Sequence, residues 1–151
     1  MLHRHIPPKA SFVLGLLILL GVGCIFFGEQ ARASFDDCTL KSVKGAFGAT
    51  FTGTITAGPF PVPYAAVARI VCDGKGGCHA QGTQSINGAI LPLVDERATY
   101  TVNPDCTGSI AVDLVGGEHI NFNFIIVNRG REIRSIETDD GTVITGNLRQ
   151  Q

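Results

Sequence analysis

The sequence predicts an all-β protein of eight antiparallel strands that follow one another as an up-and-down meander. Apolar and polar residues alternate over short runs along most of the chain, and Gly, Asn and Asp stand at the junctions between the runs. No helical pattern is long enough for a crossover, and short connections make neighbouring strands antiparallel. Closure into a barrel would remove both exposed sheet edges, so we favour a closed barrel. A two-sheet β-sandwich is the alternative, because strand spacing alone does not separate the two.

The first 33 residues have the three-part layout of a cleavable signal peptide. A basic start leads into an uncharged apolar run over residues 11–27, and small residues follow at Ala31 and Ala33. We therefore expect cleavage after Ala33, which leaves residues 34–151 as one β-barrel domain in the periplasm or outside the cell. The apolar run is at the short limit for a transmembrane helix, so a chain anchored to the membrane by an uncleaved N-terminal segment is the alternative.

The mature chain is expected to begin with one short helix and to continue as strands. Asp36 or Asp37 can cap a helix over residues 36–44, with Gly45 at its C-terminal end. The period-2 patterns place strands at residues 47–55, 64–72, 78–86, 97–103, 107–114, 119–127, 131–138 and 142–148.

The apolar face of each strand is expected to point into the barrel. This inward set is Phe47, Phe51, Ile55, Ala66, Ile70, Ile86, Tyr100, Val102, Ile110, Val112, Phe122, Phe124, Ile126, Ile144 and Leu148. An eight-stranded barrel is narrow, and its aromatic side chains would fill much of the interior. We expect a half-filled lumen with a small apolar pocket toward one mouth, within reach of Tyr100.

The connection after the first strand carries Pro59, Pro61 and Pro63 at alternate positions. Such a segment is extended and cannot join a central ladder. It can form a stiff rim with Phe60 and Tyr64 over one barrel mouth, or it is a plain connection.

The four cysteines that remain after cleavage predict disulfide bonds in an exported domain. Three pairings are possible, and we favour Cys72–Cys78 because a glycine-rich turn between two strands places its ends opposite each other. That choice leaves Cys38–Cys106, which would tie the turn between the fourth and fifth strands to the N-terminus. A zinc site is the alternative, although no histidine pair accompanies these cysteines.

Several motifs together resemble a family of small exported bacterial proteins of uncharacterised function. The motifs are the early cysteine, "DGKGG", "TVNPDCTG", the strand "HINFNFIIV" and the final "TDDGTVITG". The predicted shape of that family is similar to calycin and allene oxide cyclase barrels. The resemblance implies a calycin-like barrel with an apolar lumen, and it carries over no catalytic residue.

Four polar residues within apolar strands are the candidate ligand-binding residues: Arg69, Tyr100, Arg134 and Glu137. On the seventh strand Arg134 shares a face with Ile136, whereas Glu137 shares the other face with Ile133, so only one pair can point inward. A carboxylate or phenol in an apolar lumen would have a raised pKa and could donate a proton or anchor a ligand. The alternative is that the charged residues lie outside and Tyr100 is ordinary core.

Other site chemistries find little support in the sequence. It contains no hydrolase, nucleotide-binding or EF-hand motif, and no cofactor or metal is expected. His79 and His119 share faces with polar residues and are expected on the outer surface. The net charge is only −1 and no basic run occurs, so nucleic acid is not an expected partner. We expect no membrane contact after signal cleavage, and the oligomeric state is left open.

These observations favour a binding module for a small apolar ligand or a protein partner. The alternatives are a cofactor-independent cyclase or isomerase of the allene oxide cyclase-like type and an inert structural domain of the cell envelope. The direction of the seventh strand discriminates between them. Glu137 inside an open lumen would favour catalysis, whereas a lumen packed with Phe122 and Phe124 would favour the inert domain.

We expect the exported protein to begin at Ser34 and to contain no free thiol, because signal cleavage precedes oxidative folding outside the cytoplasm. Intact-mass measurement of the natively exported protein, with and without reduction before alkylation, checks both points. A full-length chain in the membrane fraction would contradict cleavage, and free thiols or bound zinc would contradict the disulfide framework.

Overall fold

The computed structural model describes residues 37–114 and 117–151. In this part of the chain eight antiparallel strands pair with their sequence neighbours, and the last strand pairs with the first to close a barrel. The strands are β1 (Gly45–Ile55), β2 (Val62–Cys72), β3 (Gly77–Ile86), β4 (Ala89–Val102), β5 (Thr107–Asp113), β6 (His119–Val127), β7 (Glu132–Glu137) and β8 (Thr142–Gln150). The predicted meander barrel is therefore confirmed, and the sandwich alternative is wrong. The expected signal peptide lies outside the described residues.

The predicted helix over residues 36–44 is wrong in type and extent. In place of this helix the chain forms one turn of 3₁₀ helix at Leu40–Val43. The Ser42 hydroxyl accepts a hydrogen bond there from the backbone N–H of Thr39 (3.1 Å). Gly45, with φ of 131°, then leads the chain into β1. No helix in the described part of the chain is long and apolar enough to cross a membrane.

The inward set predicted from alternation is confirmed, because none of its members is exposed. Phe47 is completely buried, and the rings of Phe51 and Phe122 lie 5.7 Å apart between centroids. A cavity of about 60 Å³ remains between Phe51, Phe122, Phe124 and Tyr100. Aromatic side chains therefore fill most of the lumen at this level.

β4 starts at Ala89 rather than at residue 97. The two residues of the turn at 87–88 have φ angles of 51° and 84°, which is the geometry of a tight two-residue hairpin. The alternation in the first half of β4 is obscured by Pro92 and by a bulge at Asp95, which has a φ of 51°. The strand pattern is therefore hard to see in the sequence although the strand is long.

One end of the barrel, which we call the closed end, is covered by residues 37–44. Both predicted disulfides, Cys38–Cys106 and Cys72–Cys78, are confirmed there. The 3₁₀ turn buries Val43 beneath it, and the Tyr100 hydroxyl donates a hydrogen bond to the carbonyl oxygen of Leu40 (3.0 Å).

The opposite end, which we call the open mouth, is formed by strands of unequal length. β5 pairs with residues 97–102 of β4, so residues 89–96 extend past it, with β3 as their neighbour. Inward-facing side chains of β4 become more exposed in this direction, from 5% at Tyr100 to 43% at Leu91. The lumen therefore opens to solvent above the short strands.

We expect Phe122→Ala to lower the free energy of unfolding by about 3–5 kcal/mol, because the ring packs in the core against Phe51. The matched control is Ile125→Ala on the outer face of the same strand, where 47% of the residue is exposed, and its effect should stay near 0.5 kcal/mol. Denaturant unfolding measures both. Similar losses for the two variants would contradict the face assignment of β6.

Candidate functional site

Glu137 is the one buried charged residue in residues 37–114 and 117–151, with 9% of its surface exposed. It ends β7 on the lumen side, together with Ile133 and Ser135, and its cross-strand neighbour on β6 is Phe122. The register of β7 therefore places a carboxyl group inside an apolar lumen, close to the open mouth.

The surroundings of Glu137 favour its neutral form. Burial raises the pKa of this carboxyl, and the nearby charge of Asp139 raises it further, whereas a hydrogen bond with Thr142 acts in the opposite direction. Every lysine and arginine in the described part of the chain is exposed. No cationic side chain of that part therefore compensates the carboxylate from within the lumen.

Tyr64 brings a phenol to the same region. Gly53 pairs with Tyr64 on one side and with Ile144 on the other, so one inner row runs from β2 across β1 to β8 beside Glu137. Burial raises the pKa of Tyr64, and the charge of Glu137 adds to this shift. The phenol and the carboxyl are therefore close enough to interact, with no side chain at Gly53 between them.

The wall that faces Glu137 across the lumen carries apolar side chains of β3 and β4, together with the polar Gln84 and Glu96. β3 lies opposite β7, because three strands lie between them on each side of the closed barrel. The pairs Gln84–Leu91 and Gly82–Leu93 turn both leucines toward the lumen, and Ile86 lies on the same face. Leu91 nevertheless remains 43% exposed. The mouth thus has a carboxyl group on one side and accessible apolar surface on the other.

Below Glu137, Ser135 carries a buried hydroxyl oxygen without a hydrogen-bond partner in the described part of the chain. Ser135 lines the apolar cavity, which has a volume of about 60 Å³. An engineered protein cavity that binds benzene has a volume of about 150 Å³, more than twice as large. A methyl group on Gly146 would come within 2.5 Å of this oxygen. The cavity itself is therefore too small for an organic ligand, although it provides a polar atom beneath the mouth.

The other candidate ligand-binding residues lie away from the mouth. Tyr100 points inward but donates its hydroxyl to Leu40 at the closed end, where burial raises its pKa. Arg134 lies on the outer face, and its Nε donates to Glu132 (2.9 Å). Arg69 is also on the outer face. Of the four, Glu137 alone contributes to the open mouth.

The two histidines lie on the outer surface, as the alternation predicts. His79 is 3.4 Å from Asp95 and His119 is 2.9 Å from Asp113, each through Nδ1. Within the described ranges, no group of three or more potential metal ligands is close enough to hold an ion.

A larger depression, of about 680 Å³, lies on the outer face of β4 to β7. Four of its polar side chains bond to one another in pairs: the hydroxyls of Thr101 and Ser109 are 2.9 Å apart, and the Asn103 amide donates to the Thr107 hydroxyl (3.0 Å). Because these groups are already satisfied and exposed, we assign the candidate site to the open mouth.

Sequence reasoning missed the role of Tyr64 and of the two leucines. The proline-rich rim hypothesis groups Tyr64 with Phe60, but Phe60 is 77% exposed whereas Tyr64 faces the lumen. The signal that could have found Tyr64 is the alternation of β2, which places it on the same face as Ala66 and Ile70.

No protein-family model matches the chain, and no curated protein matches it. Among solved structures, it is similar to a de novo designed fluorescence-activating β-barrel, with a TM-score of 0.50, 11% identity, and coverage of 76% of this chain and 99% of that chain. It is also similar to a redesigned β-barrel, mFAP1, bound to DFHBI, with a TM-score of 0.48, 14% identity, and coverage of 74% and 98%. The first likeness agrees with the eight-stranded barrel fold and concerns the fold alone. The calycin-like resemblance stays a prediction.

We expect the stability of the protein to fall as pH rises from the ordinary glutamate value of 4.5 through the raised pKa of Glu137. In this window the folded state binds the proton more tightly than the unfolded state, so deprotonation costs folding free energy. Glu137→Gln should remove that loss, so the stability of the variant relative to the wild-type protein should increase with pH.

The matched control is Glu132→Gln on the same strand. A hydrogen bond from Arg134 lowers the pKa of Glu132, so its stabilisation is present above pH 4.5 and is lost as pH falls. Denaturant unfolding between about pH 4 and pH 8 measures both variants. A Glu137→Gln difference that is independent of pH would show that the carboxyl is solvated.

Proposed function

We propose that this protein is a binding module that holds a small, largely apolar molecule at the open mouth of its barrel. The observation that carries the proposal is Glu137, a buried carboxyl without a cationic partner in the described part of the chain, which faces an accessible apolar wall. Binding sites for small molecules combine apolar walls with a few polar groups that orient the ligand. Here Glu137 and Tyr64 are the orienting groups.

The filling of the lumen limits where the ligand can lie. Because the rings of Phe51 and Phe122 and the small cavity beneath them leave no room for an organic molecule, the ligand lies above this level. There it would cover Leu91 and contact Ile86 and Leu93. This arrangement accounts for the exposure of Leu91 on the inner face, and it favours a small ligand over an inert, filled barrel.

We further propose that the mature domain acts outside the cytoplasm, in the periplasm or beyond the cell. Its two disulfides support this proposal, because such bonds persist in oxidising compartments. The cleavable N-terminal segment expected from the sequence belongs to the same proposal.

A second candidate is a cofactor-independent isomerase or cyclase, which the proximity of Tyr64 and Glu137 favours. A phenol and a carboxyl with raised pKa values form an acid–base pair that can move a proton on a bound molecule. NMR spectroscopy of a compound recovered after incubation separates the two functions, because an isomerase or cyclase changes the structure of the compound without changing its mass, whereas a binding module returns it unchanged.

We expect 1-hexanol, as a simple amphipathic probe, to bind at the mouth. Methyl NMR signals of the inward-facing residues Ile55, Ile86, Leu91 and Leu93 should shift on titration, whereas those of the outward-facing Ile90 should not. Shifts confined to the outer surface would contradict the proposed site.

A pair of neighbouring substitutions tests the same site by affinity. Leu91→Asp should weaken hexanol binding about tenfold or more, because it removes apolar contact and adds charge to the wall. Ile90→Asp, on the outer face of the same strand, should leave the affinity within about threefold. Equal effects of the two substitutions would count against a ligand inside the mouth.

A further inference from the structure

Charges are distributed unequally between the two ends of the barrel. The basic residues Lys41, Lys44, Lys75, Arg129, Arg131 and Arg149 lie at the closed end, in its loops and at the adjoining strand ends. The closed end also carries the carboxyl groups of Asp37, Asp73, Asp105 and Glu132, whereas a larger set lies toward the open mouth: Asp95, Glu96, Asp113, Glu118, Glu137, Asp139 and Asp140. The protein therefore has an electrostatic polarity along the barrel axis, with the negative end at the candidate site.

Most of the carboxyl groups at the mouth have no ion pair. Asp113 is matched by His119, but Glu96, Glu118, Glu137, Asp139 and Asp140 take part in no salt bridge within the described ranges. The pairing of Ala80 with Glu96 turns Glu96 toward the lumen. Both carboxylates of the inner wall, Glu96 and Glu137, thus belong to a region in which neutral groups are the partners that the structure shows, such as Asn121, which donates two hydrogen bonds to Asp139 (2.6 and 2.8 Å).

A bound cation is the group that this arrangement lacks. An anionic ligand would meet like charges on the rim and in the wall, and a neutral ligand would leave Glu137, once ionised, buried without a counter-ion. An isolated buried charge is costly, and a charge-assisted hydrogen bond to a cation offsets that cost. Clefts that carry one sign of charge also attract ligands of the opposite sign during diffusion.

We propose that the ligand is an organic amine in its cationic form, apolar apart from its ammonium group, which lies against the Glu137 carboxylate. This inference rests on the proposed binding function and specifies its ligand class. The apolar part of the amine contacts the β3–β4 wall at Leu91 and Leu93, opposite the carboxylate. The ammonium group can also donate a hydrogen bond toward Tyr64.

Three probes with the same alkyl chain test the ligand class: n-hexylamine, 1-hexanol and hexanoate. Isothermal titration or NMR titration at pH 7 and low salt measures their affinities. Hexylamine should bind about tenfold or more tightly than hexanol, because it adds a charge-assisted contact, and hexanoate should bind more weakly than hexanol.

Two glutamate variants on the same strand separate the effect of the Glu137 carboxylate on hexylamine affinity from the effect of the overall charge of the protein. Glu137→Gln should reduce the preference for hexylamine over hexanol about tenfold, and the methyl NMR spectrum of the variant shows whether it is folded. Glu132→Gln, which removes a carboxylate from the outer face, should change neither affinity beyond about threefold.

The affinity of hexylamine should also rise with pH as Glu137 loses its proton, since the ammonium group pairs with the ionised carboxylate. In the described part of the chain, Tyr64 and Asp139 act on Glu137, and Glu96 is the other carboxyl group of the inner wall. Because Glu137→Gln leaves all three in place, loss of the pH dependence in that variant assigns it to Glu137.

The outcomes separate this inference from the proposed function. If hexanol binds at the mouth at least as tightly as hexylamine, or if Glu137→Gln leaves the preference for hexylamine over hexanol unchanged, the lumen site stands and the cationic ligand is wrong. If none of the three probes binds at the mouth, the proposed function is itself wrong, and the inference that rests on it is wrong as well.

Discussion

Closure of the barrel depends on inward-facing glycines at positions where neighbouring strands approach most closely. A methyl group on Gly53 would overlap the backbone of β8, and one on Gly82 would overlap the backbone of β2. Glycine weakens a strand interior, but it permits the sharp bends and close contacts of barrel corners. Gly53 also lies between Tyr64 and Ile144 in the inner row next to Glu137, so no side chain stands between these two residues. The glycine that barrel closure requires at position 53 therefore also leaves space at the candidate site.

The two ends of the barrel are stabilised in different ways. At the closed end Cys38–Cys106 joins residues 68 positions apart, and a loop of that length corresponds to about 4 kcal/mol in the chain-entropy model of disulfide stabilisation. At the open mouth the connections are held by hydrogen bonds, such as the one from the Thr56 N–H to the Gly141 carbonyl oxygen (2.6 Å), and both disulfides of the described residues lie at the other end. Because the disulfides and the aromatic core stabilise the rest of the domain, the mouth can retain exposed apolar surface and a buried carboxyl.

Alternation was sufficient to predict the barrel and its inward set, because each of those strands has one continuous apolar face. It was insufficient for the first half of β4, where Pro92 and the bulge at Asp95 break the period. It also left β7 undecided, since Arg134 and Glu137 each share a face with an isoleucine. The pairing of Glu137 with Phe122 decides that register, and this long-range contact is invisible in the local sequence. Site residues were therefore harder to predict than core residues.

The presence of a glutamate at position 137 is not required by the fold. A buried carboxyl costs stability whenever it ionises, and a residue such as glutamine or methionine would pack there without that cost. The Thr142 hydroxyl is too weak a partner to compensate a full charge. A cationic ligand would remove the penalty and would stabilise the folded state by mass action, because the unfolded chain has no such site. Occupancy of the mouth and stability of the domain would then be coupled through one side chain, which gives the otherwise unfavourable carboxyl a physical role.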